Sequence, residues 1–241
     1  MSQPVQISHT WQDFKADQQS VELAAHTVAH IPVTIRYMDV GSERARTVLL
    51  MHGIPTWGYL YHAVIPLLVE AGYRVIAPDF LGHGWSDRRD RFDRSFQDQA
   101  RMICALLKHL NLSSVDVVGH DTGGAVALIL EIEHPHLVNR LVITNSVCYD
   151  RFDDDMLDFG HPLRWKPRPV SDLVEALQES LAMGLSHAEK LTPEFCDGII
   201  APWASEEGKL SLIRNAAALN ANQTMALVDR HGAIAAPTLV L

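Results

Sequence analysis

The sequence predicts an α/β fold, a doubly wound and mostly parallel sheet with an inserted helical cap, and three observations carry that prediction. Apolar strand-like runs alternate with stretches of helical spacing in βαβα order, the pattern of a parallel sheet covered on both faces. Glycines stop the apolar runs where a buried strand must turn. The alternation breaks near residue 150, where an acidic run and several prolines open a mainly helical stretch, and it resumes near 215. The expected division is a first part of the core over 1–149, a helical cap over 150–214 and a second part of the core over 215–241.

Taken in order, "HIPVTIRYMDVG" (30–41) alternates with period two, and "TVLLMHG" (47–53) is a short buried-type run. "YLYHAVIPLLVEAG" (59–72) has helical spacing, is interrupted at Pro66 and closes on Gly72; "YRVIAPDFLGHG" (73–84) returns to strand and turn. Ser95 with Asp98 reads as a capping box, and Phe96, Ala100, Ile103, Leu107 and Leu110 predict an amphipathic helix over 96–111. "SVDVVGHD" is the next strand, "TGGAVALILEIEHP" (122–135) the next helix and "NRLVITNSV" (139–147) the next strand. Short helical stretches follow to about 214, then one helix over 215–232 and a last buried strand in "APTLVL" (236–241). A chain ending on that strand would lack the loop and helix that follow it, so about 50 further residues are expected, at roughly 30 per βαβ unit.

Composition narrows the partners. With 241 residues, 47% of them hydrophobic and 20% charged, the chain can bury the core of one globular domain. A net charge of -9 opposes phosphate backbones and anionic membrane surfaces, and the basic cluster Arg88, Arg89 and Arg91 is interrupted by Asp90, so neither nucleic acid nor membrane is expected. Cys104, Cys148 and Cys196 are odd in number and form no C-x-x-C pair, as in a reducing compartment; the cytoplasm is the expected location. "MSQPVQISHT" shows neither a secretion signal nor a myristoylation glycine, and no apolar run approaches the length of a bilayer span.

Gly119-His120-Asp121-Thr122-Gly123 stands between a strand and a helix. Flanking glycines permit a sharp bend that pushes the middle side chain, here a carboxylate, out at the carboxyl end of the sheet. His120, Gly123 and Gly124 read as packing and turn residues. His134 and His136 flank Pro135 at a helix end, with no cysteine or carboxylate at ligand spacing, and no metal is expected. Asp153, Asp154 and Asp155 read as a solvated stretch. Neither G-x-G-x-x-G nor a Walker loop occurs, so no nucleotide cofactor is expected.

Together, "HGIPTWGYLY" (52–61), "YRVIAPDFLGHGWSD" (73–87), "VVGHDTGG" (117–124) and "APTLVL" resemble the α/β-hydrolase superfamily, in its haloalkane dehalogenase and epoxide hydrolase branch with an aspartate nucleophile. The resemblance implies that Asp121 displaces a leaving group from carbon and forms an alkyl or acyl ester of the enzyme. Backbone N–H groups of Ile54 and Thr122 would form the oxyanion hole for its hydrolysis, each donor worth roughly 3 kcal/mol. It places the histidine base after the last core strand, beyond Leu241; His231 is nearest in sequence but precedes that strand. The sixth-strand position for the acid is Asn145, not a carboxylate, so the acid too is expected past Leu241.

The chain departs from dehalogenases, which place a tryptophan directly after the nucleophile, because Thr122 stands there and the apolar Ile54 follows Gly53. Trp165 and Trp203 are the candidates for an indole N–H in the substrate pocket, hydrophobic lining being the other reading of each. Epoxide hydrolases use cap tyrosines, but 151–241 contain none, and Tyr149 is the nearest candidate. The expectation is a cofactor-free hydrolase, monomer or homodimer, acting on a small apolar molecule. Lactone or ester cleavage and a non-catalytic ligand-binding role are the alternatives.

Overall fold

The computed structural model describes residues 10–25 and 27–241; residues 1–9 of the N-terminal stretch read above for targeting signals lie outside them. Seven strands form one sheet: β1 (Gln19–Leu23), β2 (Val33–Val40), β3 (Thr47–Met51), β4 (Arg74–Pro78), β5 (Val115–Asp121), β6 (Val138–Ser146) and β7 (Thr238–Val240), in the spatial order β1-β2-β4-β3-β5-β6-β7. β2 pairs antiparallel with both β1 and β4, and every other pairing is parallel. The central strands are buried on both faces, as their unbroken apolar runs require: Val48 and Leu50 of β3 enter one core cluster, Leu49 and Met51 the other.

Four helices belong to this core: α1 (Trp11–Asp17), α2 (Ile65–Glu70), α3 (Phe96–His109) and α4 (Thr122–Glu133). Between β6 and β7 the described chain is helical: α5 (Asp154–Phe159), α6 (Pro162–Trp165), α7 (Val170–Met183), α8 (Pro193–Ile200), α9 (Glu206–Ala217) and α10 (Ala221–Val228), with short 3-10 turns. This helical layer has its own apolar cluster, including Phe159, Trp165, Leu173, Trp203 and Leu212, and Ile54 of the core joins it. Polar clasps fasten it down. Ser211 and Asn215 donate to the Gly82 carbonyl at 2.8 and 2.7 Å, the Trp203 indole donates to the Pro55 carbonyl at 2.6 Å, and the Trp57 indole to the Gly198 carbonyl at 2.8 Å.

Several expectations are corrected in detail. The stretch 59–72 splits into a 3-10 turn at Gly58–Tyr61 and α2, because Pro66 fits only the first turn of a helix. The helix expected over 215–232 is two, since Asn220 accepts from the Asn222 N–H at 2.9 Å and starts α10 anew. α9 therefore runs through the division drawn at 214. Only half of the Ser95 capping box forms: Ser95 Oγ accepts from the Asp98 N–H at 3.2 Å, but the Asp98 carboxylate pairs with Arg101. β7 pairs with β6 among the described residues, and Leu239 and Val240 are 52% and 73% exposed. β1 was not foreseen; Val21 and Leu23 bury against the core while its other residues face solvent. The three cysteines are unpaired, and among the described residues no helix is long and apolar enough to cross a membrane.

Candidate active site

The turn from β5 into α4 holds Asp121 at φ 54° and ψ -125°, a conformation that costs a non-glycine residue on the order of 1–3 kcal/mol. The register of β5 against β6 slips between His120 and Asp121, so the strand has left its regular pairing where the side chain is presented. The bend is tight enough that a Cβ on Gly123 would run into the Met51 and His52 carbonyls. Gly53 plays the complementary part: the space a side chain would fill there is occupied by the Asp121 carboxyl group.

The loop after β3 is held from within. His52 Nδ1 lies 2.8 Å from the Gly53 carbonyl, and the Phe80 N–H donates to His52 Nε2 at 3.0 Å, which fixes the proton on Nδ1. Burial drives the His52 pKa down to about 4, so the ring stays neutral. Thr56 donates through both its N–H and its hydroxyl to the Gly53 carbonyl at 3.0 Å. So braced, the loop aims the Ile54 N–H at Asp121 Oδ1, 2.8 Å away. Burial raises the Asp121 pKa above the usual carboxylate range, opposed by the Thr122 and Ile54 N–H groups and the nearby His120. The start of α4 also favours negative charge there.

Next along the sheet, Asp79 is fully buried and accepts from the Gly58 N–H at 2.9 Å and the Trp85 N–H at 2.8 Å. Burial lifts its pKa to about 6. It shapes the turn after β4 and does not line the cavity above Asp121.

That cavity, about 370 Å³, has Ile54, His120, Asp121 and Thr122 on the core side, and Met156, Leu181, Met183, Leu185, Leu191, Phe195 and Ile199 on the helical side. Asp153, Asp155 and Asn145 also line it, and no lysine or arginine does among the described residues. A larger groove of about 810 Å³, bounded by Asp93, Arg151 and Asn220, holds no carboxylate on a strained turn, whereas the smaller cavity holds Asp121.

Asp121, Ile54 and Thr122 thus come together, and the three aromatic candidates stand elsewhere. The Trp165 indole donates to the Asp158 carbonyl at 3.0 Å and its ring stacks on Phe159; the Trp203 indole is taken by Pro55. A buried indole N–H takes the nearest carbonyl, which leaves neither for the cavity. Tyr149 is 54% exposed, its ring edge-on to His231. Asp153, expected merely solvated, caps α5 by accepting from the Met156 N–H at 3.1 Å. His120, expected as a packing residue, lines the cavity with Nδ1 3.1 Å from the Thr144 carbonyl. Its place one residue before the exposed carboxylate was the available signal. His134 and His136 sit at the end of α4, ring against ring at 6.2 Å.

A mostly parallel sheet in this strand order, with a side chain thrust out on a strained strand-to-helix turn, is the architecture of α/β hydrolases. The chain belongs to that family: the model for the α/β hydrolase fold matches residues 46–198. Over 116 residues it is 40% identical to a haloalkane dehalogenase of Mycolicibacterium paratuberculosis, covering 48% of this chain and 38% of that protein. Over 125 residues it is 33% identical to a cis-3-alkyl-4-alkyloxetan-2-one decarboxylase of Xanthomonas campestris, covering 48% of this chain and 41% of that one. The matched segment therefore spans about two fifths of these relatives. An α/β hydrolase fold protein from Burkholderia ambifaria superposes with a TM-score of 0.78 at 20% identity, covering 91% of this chain and 78% of that chain.

Proposed function

We propose that the protein is a hydrolase whose nucleophile is Asp121, attacking carbon in a small, neutral, largely apolar molecule and forming an ester of the enzyme. The observation that carries this is the Asp121 carboxylate, forced onto a strained turn at the floor of an apolar cavity with the Ile54 N–H on one oxygen. An ionised carboxylate needs no base to attack carbon, and desolvation sharpens it. In the hydrolytic half, the Ile54 and Thr122 N–H groups would hold the oxyanion of the ester. The helices between β6 and β7 act as the cap, shaping the apolar wall that selects the substrate. Unpaired cysteines accord with a cytoplasmic setting.

Similarity to a haloalkane dehalogenase supports an alkyl halide as the electrophile. A second reading, an oxygen-containing ring, is supported by the relative named as an oxetanone decarboxylase and by the cavity itself, whose described lining offers a departing halide no indole, lysine or arginine.

Intact mass after incubation with short bromoalkanes, epoxides and lactones tests the proposal. The expected result is one alkyl or acyl adduct on Asp121, absent in Asp121→Asn; a folded protein that takes up none of them overturns it. Because burial raises the Asp121 pKa, adduct formation should already decline, as pH falls, above the range where an ordinary carboxylate protonates.

A further inference from the structure

Among the described residues four that are not glycine have a left-handed backbone, Asn111, Asp121, Asn145 and Tyr149, and of these Asp121 and Asn145 line the cavity. They stand on neighbouring strands, at the carboxyl ends of β5 and β6. Thr144 pairs with His120 and Ser146 with Asp121, so Asn145 is the extra residue of a bulge, held at φ 42°. A bulge beside a reacting group re-aims a side chain at the expense of regular pairing, and asparagine is among the few residues that accept this backbone. The amide is oriented through its oxygen: the Thr144 hydroxyl donates to Asn145 Oδ1 at 3.1 Å, and no group among the described residues takes the hydrogens of Nδ2. The Thr56 hydroxyl, another neutral donor of the lining, is committed to the Gly53 carbonyl.

Asp121, Asp153 and Asp155 share this lining with Asn145 and no described lysine or arginine does, so an anion is repelled where the amide offers its hydrogens, and a neutral oxygen is not. We propose that Asn145 selects the substrate: its amide donates to a neutral oxygen acceptor, of an ether or a carbonyl, carried on the chain beside the carbon that Asp121 attacks. The inference rests on Asp121 being the nucleophile. The recognised oxygen stays on the substrate throughout. An Asp121 oxygen bonds to the attacked carbon, the bond from that carbon to the leaving atom breaks with its electron pair kept by the leaving atom, and the amide moves no proton. With a bromoalkane the products are an alkyl ester of Asp121 and bromide. A purely apolar chain of the same length fills the space and leaves the amide unpaired, which is how a site built to donate rejects the analogue without an acceptor. Asn145 is also exposed to solvent, which holds the discrimination to that of one hydrogen bond, about tenfold.

The test uses 1-bromobutane and 1-bromo-2-methoxyethane, which differ by an oxygen in place of a methylene, and reads the rate at which each adds to Asp121, located by mass after digestion, with Asp121→Asn as control. In Asn145→Gly, which accepts φ 42° and loses the amide, the ratio of the ether rate to the bromobutane rate should be about tenfold lower than in the wild type. Comparing ratios cancels the intrinsic reactivities of the two probes. In Asn145→Asp, which keeps the shape and the acceptor for Thr144 but has no hydrogen to give, the ratio should fall as far or further, and this variant decides the matter if the glycine variant does not fold. An unchanged ratio in a folded variant overturns the role of Asn145 while leaving Asp121 as nucleophile; equal losses with both probes, the result if the amide served the departing bromide, do the same. No Asp121 adduct from either probe in the wild type overturns both readings.

Discussion

The two walls of the cavity are built by different means. On the core side the chain itself makes the wall: a strained aspartate, a glycine with no room for a methyl group and a loop pinned at both nitrogens of His52. On the helical side the wall is long apolar side chains, and Met183 and Leu185 remain 68% and 37% exposed while lining the cavity. Backbone geometry tolerates almost no substitution, whereas an apolar wall can be resized one side chain at a time. In the function proposed above, the chemistry is fixed in one wall and the choice of substrate is left to the other.

The hardest blow to this contrast is Gly123→Ala. Its Cβ would meet the Met51 and His52 carbonyls, so a loss of about 3 kcal/mol is expected in denaturant unfolding. A loss below about 0.5 kcal/mol would show the elbow to be far more pliable than described.

A comparable effect is expected in pH dependence. Asp79 keeps its proton in the fold up to about pH 6, while the unfolded chain releases it near 4, so its contribution to stability is lost as pH rises through that window. His52, neutral in the fold down to about pH 4, has the opposite slope: its contribution is present above about 6.5 and is lost as pH falls. In the wild type the two oppose each other. Asp79→Asn removes the first, so its unfolding free energy should climb from pH 4 to 6 by about 3 kcal/mol relative to the wild type. Parallel curves would contradict the buried, protonated Asp79.

Trp203→Phe removes the donor to the Pro55 carbonyl and should cost about 2 kcal/mol by thermal melting, while slowing adduct formation by loosening the Ile54 loop. The smallest change is Met183→Ala, within about 0.5 kcal/mol in stability, which should alter which chain length of bromoalkane reacts fastest. An unaltered preference would argue that the helical wall does not select.

The same contrast explains what was legible in the sequence. The elbow could be read because its signals are local: glycines around a carboxylate, a strand before and a helix after. Ser95 likewise announces α3 through one hydrogen bond three residues away. The indole partners of Trp165 and Trp203 could not be read from the sequence, because they are settled by packing, for Trp203 by a carbonyl 148 residues away in sequence. β1 was missed because five residues with only two facing inward give too short an alternation, and its strand character comes from pairing with β2. His120 was undervalued since a regular strand would turn it away from its neighbour; the register slip beside Asp121 has no sequence mark of its own.

Gly53 and Asp121 hold each other in place. Because the carboxyl group of Asp121 occupies the volume that a side chain at position 53 would claim, the two positions compete for one space. A methyl group at position 53 would meet the Asp121 Cβ as well as its carboxyl group, so either the loop after β3 or the elbow itself would have to move. The absent side chain at position 53 is thus as much a condition for the carboxylate's placement as the strained turn that carries it.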